Sequence, residues 1–332
     1  MNLLALRDYK DKISVSKRHI YDMFDILKTE YDYKEIDIKL LFEKNVKYIL
    51  LERFDTLPKN IIILDHTSEI YKFNFNFKTS ITIIIDDIHH QGRIKKLRTL
   101  SLKKVKNVLS TYGYYFSNKY KSNCDVYFFP HSIRFDCSFN NKPIDKILLS
   151  GRLNKEQYPN RDFIYQLSKI NSNIEYLKPN VKYRENINIL EKENKIYGQK
   201  YINYLNKYLC CFCCDANKDR PYIVAKHFEI LSSGSLLLTC NENTKEYFKI
   251  LGLKDNEHYL SCDSTNQEQK INYILDPKNR TLIDTIRKNG YLYAKKYHNY
   301  KSRCEYLNKV IVEDFTSREE FINNDTKYYY IK

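Results

Sequence analysis

The sequence predicts an α/β fold made of two Rossmann-like halves facing across a cleft. Three observations predict it. Short apolar runs alternate with amphipathic segments along most of the chain, which argues for parallel sheets joined by crossover helices. The alternation restarts after Asn140-Asn141-Lys142-Pro143, a hinge between two such series. The 332 residues suit two domains of about 150 residues each, and 42% hydrophobic residues supply two buried sheets.

In the first half, strands are expected at residues 2–6, 47–54, 60–64, 81–85, 107–109 and 126–129, each a short apolar run. Residues 16–31 and 93–104 carry helical spacing instead. After the hinge, strands are expected at 146–150, 173–177, 209–214, 235–239 and 259–261, with helices at 161–170, 198–207, 221–233 and 243–251. Residues 276–313 are nearly all helical in pattern, interrupted around Gly290 and His298. The domains expected are 1–143 and 144–314, with 315–332 a tail placed to pack back on the first.

The helix expected over 221–233 has legible ends. Pro221 suits a first helical turn, Asp219 or Arg220 the cap, and Gly234 the left-handed residue that stops it. Tyr222, Lys226, Glu229 and Ser233 follow the spacing i, i+4, i+7, i+11 and share a face. A strand after Gly234 would bring the helix against a sheet with its N-terminus at the rim, where phosphate binds readily. That arrangement suggests a nucleotide diphosphate. The competing reading is a solvated ion pair between Lys226 and Glu229.

Composition excludes several classes. Neither GxGxxG nor GxxxxGK[ST] occurs, so a phosphate site must be built from helix ends and basic side chains. The net charge of +15 implies a negative partner, yet the lysines are scattered and form no basic tail. Peripheral contact with an anionic membrane or with nucleic acid stays open on charge alone. Nine cysteines, an odd count without a signal-peptide pattern, lead us to expect a reducing cytoplasm. Cys210-Cys211-Phe212-Cys213-Cys214 has no second CxxC pair to close a zinc site and fits a strand covered on both faces. No apolar stretch approaches the roughly 20 residues of a membrane-spanning helix.

Four motifs in order carry a resemblance. They are Ile147-Leu148-Leu149-Ser150-Gly151-Arg152-Leu153, then Tyr158-Pro159-Asn160-Arg161, then Lys226-x-Phe228-Glu229-Ile230-Leu231-Ser232-Ser233-Gly234, and last His298-x-Tyr300-x-x-Arg303. In order and spacing they resemble the donor domain of GT-B glycosyltransferases of group 1 (family 4-like), in the branch similar to spore-maturation and spore-protein glycosyltransferases. The likeness covers about residues 145 to 312. Many group 1 members carry a second glutamate eight residues before the one matched by Glu229, and Pro221 stands there in this chain.

The resemblance implies a nucleotide-diphosphate sugar as co-substrate, an unknown acceptor (glycan, protein or lipid) and retention of anomeric configuration; with no metal motif in the sequence, neither metal nor other cofactor is expected. A diphosphate leaving group needs cations to hold its charge, and Arg152, Lys155, Arg161, Arg220 and Lys226 are the candidates, with Tyr158 and Tyr222 beside them in the donor set. Glu229 would accept from the ribose hydroxyls and count with the catalytic groups. On the acceptor side, the strand at 81–85 runs into Asp86-Asp87-Ile88-His89-His90. From it, Asp87 and His89 are the catalytic candidates and Asp86 and His90 would flank the acceptor, joined by His131 of Pro130-His131-Ser132-Ile133-Arg134, near the hinge. The plainer reading is that Asp87 or His90 only caps the following helix and that His131 is a packed residue. Two rivals remain: a GT-B enzyme directed at DNA bases, and an inactive GT-B module that binds a nucleotide sugar without turnover.

Overall fold

The first sheet begins with β1 (Leu3–Arg7) and continues through β2 (Tyr33–Asp37), β3 (Asn60–Leu64), β4 (Ser80–Ile85), β5 (Val105–Ser110) and β6 (Asp125–Phe128), all parallel. The computed structural model describes residues 3–7, 18–64, 74, 77–85, 105–112, 125–135, 137–179, 190, 193, 195–216, 222–312 and 330–331. The expected helix at 93–104 lies outside these, as do Asp86, Asp87, His89, His90 and Arg220. Ile61, Ile62 and Ile63 of β3 and Ile83, Ile84 and Ile85 of β4 are buried. Strands covered on both faces read as unbroken apolar runs, which is why these two were visible. Helix α1 (Arg18–Glu30) buries Ile20, Tyr21, Met23, Phe24 and Leu27, the spacing of one broad helical face.

Two elements here correct the expectation. Residues expected as a strand at 47–54 form helix α2 (Val46–Phe54). Its buried residues are Val46 and Leu50, one helical turn apart, while Tyr48 between them is 70% exposed, so the period is near four and not two. Strand β2 was not expected because Lys34, Glu35 and Asp37 dilute its apolar pattern.

The second sheet starts at β7 (Ile144–Ser150), followed by α3 (Pro159–Ser168), β8 (Ile174–Leu177), α4 (Gly198–Leu205) and β9 (Tyr208–Cys214). Then come α5 (Ala225–Ser233), β10 (Leu236–Cys240), α6 (Lys245–Ile250), β11 (Leu260–Cys262), α7 (Gln267–Leu275) and α8 (Arg280–Tyr297). Its strands are all parallel in the order β11-β10-β9-β7-β8. The order therefore reverses direction between β7 and β9, and open α/β sheets bind ligands beyond the strand ends at such a switch.

Every residue of β9 is buried. Cys210, Phe212 and Cys214 join the core with Ile147 and Leu149, and burial pushes the Cys213 thiol up to about 11 and that of Cys211 up to about 12. These thiols act as small apolar side chains. Among the described residues no three His, Cys, Asp or Glu gather as a metal site.

Helix α5 starts at Ala225 after an extended Val224, later than the Pro221 start expected, and Pro221 lies outside the described residues. Its end is as expected, with Gly234 left-handed at φ 77°. Tyr222 therefore precedes the helix and does not share its face, and Ser233 is buried with its hydroxyl donating to the Ile230 carbonyl at 2.7 Å. Gly290 does not interrupt α8, which passes straight through it; only His298 ends that helix.

Helix α9 (Tyr300–Val312) follows, and Cys304, Tyr306, Leu307, Val310 and Ile311 pack with α1 in the core of the first sheet. Strand β12 (Tyr330–Ile331) pairs antiparallel with β6 at the edge of that sheet. The chain thus divides into one unit of Met1–Pro130 with Arg303–Lys332 and another of His131–Ser302. The division falls at Pro130, ahead of the Asn140 to Pro143 turn, and α9 from Arg303 onward goes with the first unit. Among the described residues no helix is long and apolar enough to cross a membrane.

Candidate functional site

The candidate site lies in the second unit, where β7 ends. Ser150 closes the strand and Gly151 follows at φ 110°, a backbone conformation that L side chains rarely adopt. A Cβ at Gly151 would stand 3.2 Å from Arg161 Nη1 and 3.4 Å from Lys226 Cε. The missing side chain therefore leaves room for a guanidinium and a lysine stem to come together against the backbone of Gly151.

Arg161 reaches this point from the first turn of α3, placed there by Pro159 at the start of the helix. It is 4% exposed. Its Nη1 donates to the Arg152 carbonyl at 2.9 Å, and its guanidinium lies 4.1 Å from the Tyr158 ring centroid. Its Nε has no hydrogen-bond partner among the described residues. The Tyr158 hydroxyl in turn lies 2.8 Å from that of Tyr222, and burial raises its pKa.

Lys226, in the first turn of α5, is half-buried. Its Nζ donates to the Tyr201 hydroxyl at 2.5 Å and to Ser150 Oγ at 3.2 Å. The two hydroxyls are themselves 2.7 Å apart, so the three groups close a triangle joining α5, α4 and β7. Burial works against the lysine charge, but Tyr201 and Glu229 outweigh it and hold the ammonium pKa above its ordinary value. Burial raises the Tyr201 hydroxyl, with Lys226 pulling the other way.

Lys226 and Glu229 do not meet at salt-bridge distance among the described residues; Glu229, half-buried, acts on the Lys226 charge from farther off. Neither Arg161 nor Lys226 has a carboxylate at salt-bridge distance among the described residues, although the Glu229 charge is near enough to favour the Lys226 ammonium.

Two buried groups support this corner. His227 fixes the entry to α5: its Nδ1 lies 3.1 Å from the Val224 carbonyl and its Nε2 3.1 Å from Thr239 Oγ1. A proton on Nδ1 satisfies both contacts, since the threonine hydroxyl can donate to Nε2. Burial lowers the pKa of His227 to about 3. Asp215, just past β9, accepts from the Asn243 backbone N–H at 2.8 Å and from the Thr244 hydroxyl at 3.4 Å. Burial raises its pKa to about 7, the two bonds opposing.

The structure therefore brings Arg161, Lys226, Tyr158 and Tyr222 to the end of β7 and its neighbours. The side chains of Arg152 and Lys155 are exposed on the loop after Gly151. His131 is half-buried near the start of this unit, where the Ile133 N–H donates to the His298 carbonyl at 2.8 Å. That pairing accounts for His298 in the last motif as a structural residue, buried against Phe228. Ser150, Tyr201 and Asp215 were not singled out from the sequence. Only the strand end at Ser150, just before the turn glycine, offered a signal in advance.

No protein-family model and no curated protein matches the chain. Solved structures do. Sucrose-phosphate synthase from Thermosynechococcus elongatus is 10% identical with a TM-score of 0.61, the match covering 93% of this chain and 98% of that one. HepE from Anabaena, solved with UDP and glucose, is 8% identical at a TM-score of 0.55 over 93% and 99%. A glycosyltransferase from Rickettsia africae is 10% identical at 0.54 over 93% and 97%. At these identities the likeness carries the fold, which is α/β with parallel sheets in the GT-B class.

Proposed function

We propose that the chain is a nucleotide-sugar-dependent glycosyltransferase whose second unit holds the donor diphosphate. One observation carries the reading: Arg161 and Lys226 both come against Gly151 at the end of β7, and neither has a described carboxylate at salt-bridge distance. Arg161 is buried with its Nε unpaired among the described residues, a cost that an anion from outside the chain would offset, and Lys226 brings a second charge to the same point. A diphosphate has the charge to meet both groups, and each hydrogen bond to a charged group contributes about 1.5–3 kcal/mol. Gly151 lets a phosphate approach the backbone, as a side chain there would not.

In this reading Arg152, Lys155 and Arg220 complete the cationic surround, and Glu229 accepts from the ribose hydroxyls. As the bond from sugar to diphosphate breaks, negative charge gathers on the leaving oxygen, and fixed cations stabilise it without reorganising. The same set of cations lets the transfer run without a metal. Retention of configuration follows if the departing phosphate takes the acceptor proton. Asp86, Asp87, His89 and His90 with His131 are proposed to serve the acceptor, whose class (glycan, protein or lipid) stays open. We also propose the group 1, spore-maturation-like branch and a cytoplasmic location, with any membrane or nucleic-acid contact peripheral.

The test is thermal unfolding of the purified protein with UDP, GDP, TDP, ADP or a short DNA duplex at low and moderate salt. The UDP and glucose bound in the Anabaena structure make UDP the first to try. A shift of several degrees with one nucleotide that survives salt supports the donor site. A response to DNA alone, lost with salt, replaces it with a nucleic-acid reading.

A further inference from the structure

We infer that Tyr201 is the positioning residue of the donor site, holding the Lys226 ammonium so that one of its N–H bonds is left aimed at the diphosphate. The inference rests on the donor reading above and concerns residues which that reading does not use. An ammonium has three donors. Two of them are taken, by the Tyr201 hydroxyl at 2.5 Å and by Ser150 Oγ at 3.2 Å. The third is unassigned within the described residues, and Lys226 is only half-buried.

The grip on Lys226 is more than a chance contact. Its Nζ lies 4.7 Å from the Tyr201 ring centroid, at the hydroxyl edge of the ring, where the phenol oxygen turns a lone pair toward the ammonium. Ser150 is 2% exposed and bonds to Tyr201 as well, which removes the freedom of either hydroxyl to turn away. A lysine alone is a flexible point charge on four rotatable carbons. Fastened at two donors, it is orientated before any ligand arrives, so the ordering cost is not met at binding. The fastening elements are α4 and β7, both packed in the second unit: Ile202 and Leu205 of α4 are buried, as are Ile147, Leu148 and Leu149 of β7. Tyr201 does not itself need to reach the ligand.

The experiment is a double-mutant cycle read by calorimetric titration. Wild type, Tyr201→Phe, Lys226→Met and the double variant are each titrated with UDP, GDP, TDP and ADP and with the four parent nucleosides. For the diphosphate that binds, Tyr201→Phe is expected to weaken affinity about tenfold, the effect of one hydrogen bond to a charged group. Its parent nucleoside should keep its affinity within about twofold. In the Lys226→Met background the Tyr201→Phe change should add nothing, since Tyr201 acts only through Lys226. Equal loss for nucleoside and diphosphate, or losses that simply add, would overturn the positioning role. If Tyr201→Phe does not fold, Ser150→Ala runs the same cycle with the same expectations. A wild type that binds no diphosphate overturns the donor reading and this inference with it. One that binds while Tyr201→Phe matches it overturns only the inference.

Discussion

The carbonyl oxygen of His258 occupies the space beside Gly290, where a Cβ would stand 2.2 Å away. Helix α8 therefore touches the backbone before β11 directly, with Leu231 of α5 also within 2.9 Å of that position. Gly290 is buried in mid-helix, where glycine costs about 1 kcal/mol relative to alanine, and close approach is what justifies it. Gly290→Ala should destabilise the protein by about 3 kcal/mol through overpacking, with a melting temperature at least about 5 °C lower. Lys288→Ala, on the exposed side of the same helix, is the control and should change little.

Glu229→Ala should abolish sugar transfer while the melting temperature stays within about 2 °C of wild type, since no described residue hydrogen-bonds that carboxylate. Transfer activity and calorimetry on the same preparation check both halves. Retained turnover would remove Glu229 from the donor site.

Arg152→Ala separates donor from acceptor. The Arg152 carbonyl, not its exposed side chain, supports Arg161, so the fold should be untouched. The donor KM should rise about tenfold, the loss of one charge-assisted contact, with the acceptor KM unchanged. Equal rises on both sides would contradict its place at the diphosphate.

His227 and Asp215 should tilt the pH dependence of stability in opposite directions. His227 is held neutral, with its pKa lowered to about 3, so its contribution is full above about 6.5 and is lost as pH falls toward 3. Asp215 has its pKa raised to about 7, so its contribution is full below about 3.9 and is lost as pH rises toward 7. Each slope is about 1.4 kcal/mol per pH unit at most, and between pH 4 and 6.5 they oppose one another. Urea denaturation at pH 4.5, 5.5 and 6.5 reads this out. Relative to wild type, Asp215→Asn should gain stability as pH rises and His227→Gln should lose it. Variants that run parallel to wild type would show that neither group titrates as described.

Much of this fold could be read in advance because its strands are parallel and covered on both faces. Ile61 to Ile63 and Leu236 to Leu238 announce themselves as apolar runs. The misses have physical reasons. In α2 the apolar residues are dense enough to hide a helical period in nine residues, and in β2 the partner strand overrides three charged residues. The site was half legible. Lys226 and Arg161 stood out because cations near a turn glycine have a chemistry of their own. Tyr201 was one of 31 tyrosines, and nothing local distinguishes it. Its importance comes from Ser150 and Lys226, 51 and 25 residues away in the chain.

The placement of α9 bears on the order in which the protein can form as it leaves the ribosome. Domains usually fold from the N-terminus as they emerge, at about 5–20 residues per second. Here the first sheet must wait for Leu307, Val310 and Ile311, which fill the space beside Phe24 and Leu27 of α1. The second unit, contiguous from His131 to Ser302, is complete before those residues are made. Synthesis therefore favours the half that begins later, with the earlier half held open until α9 arrives.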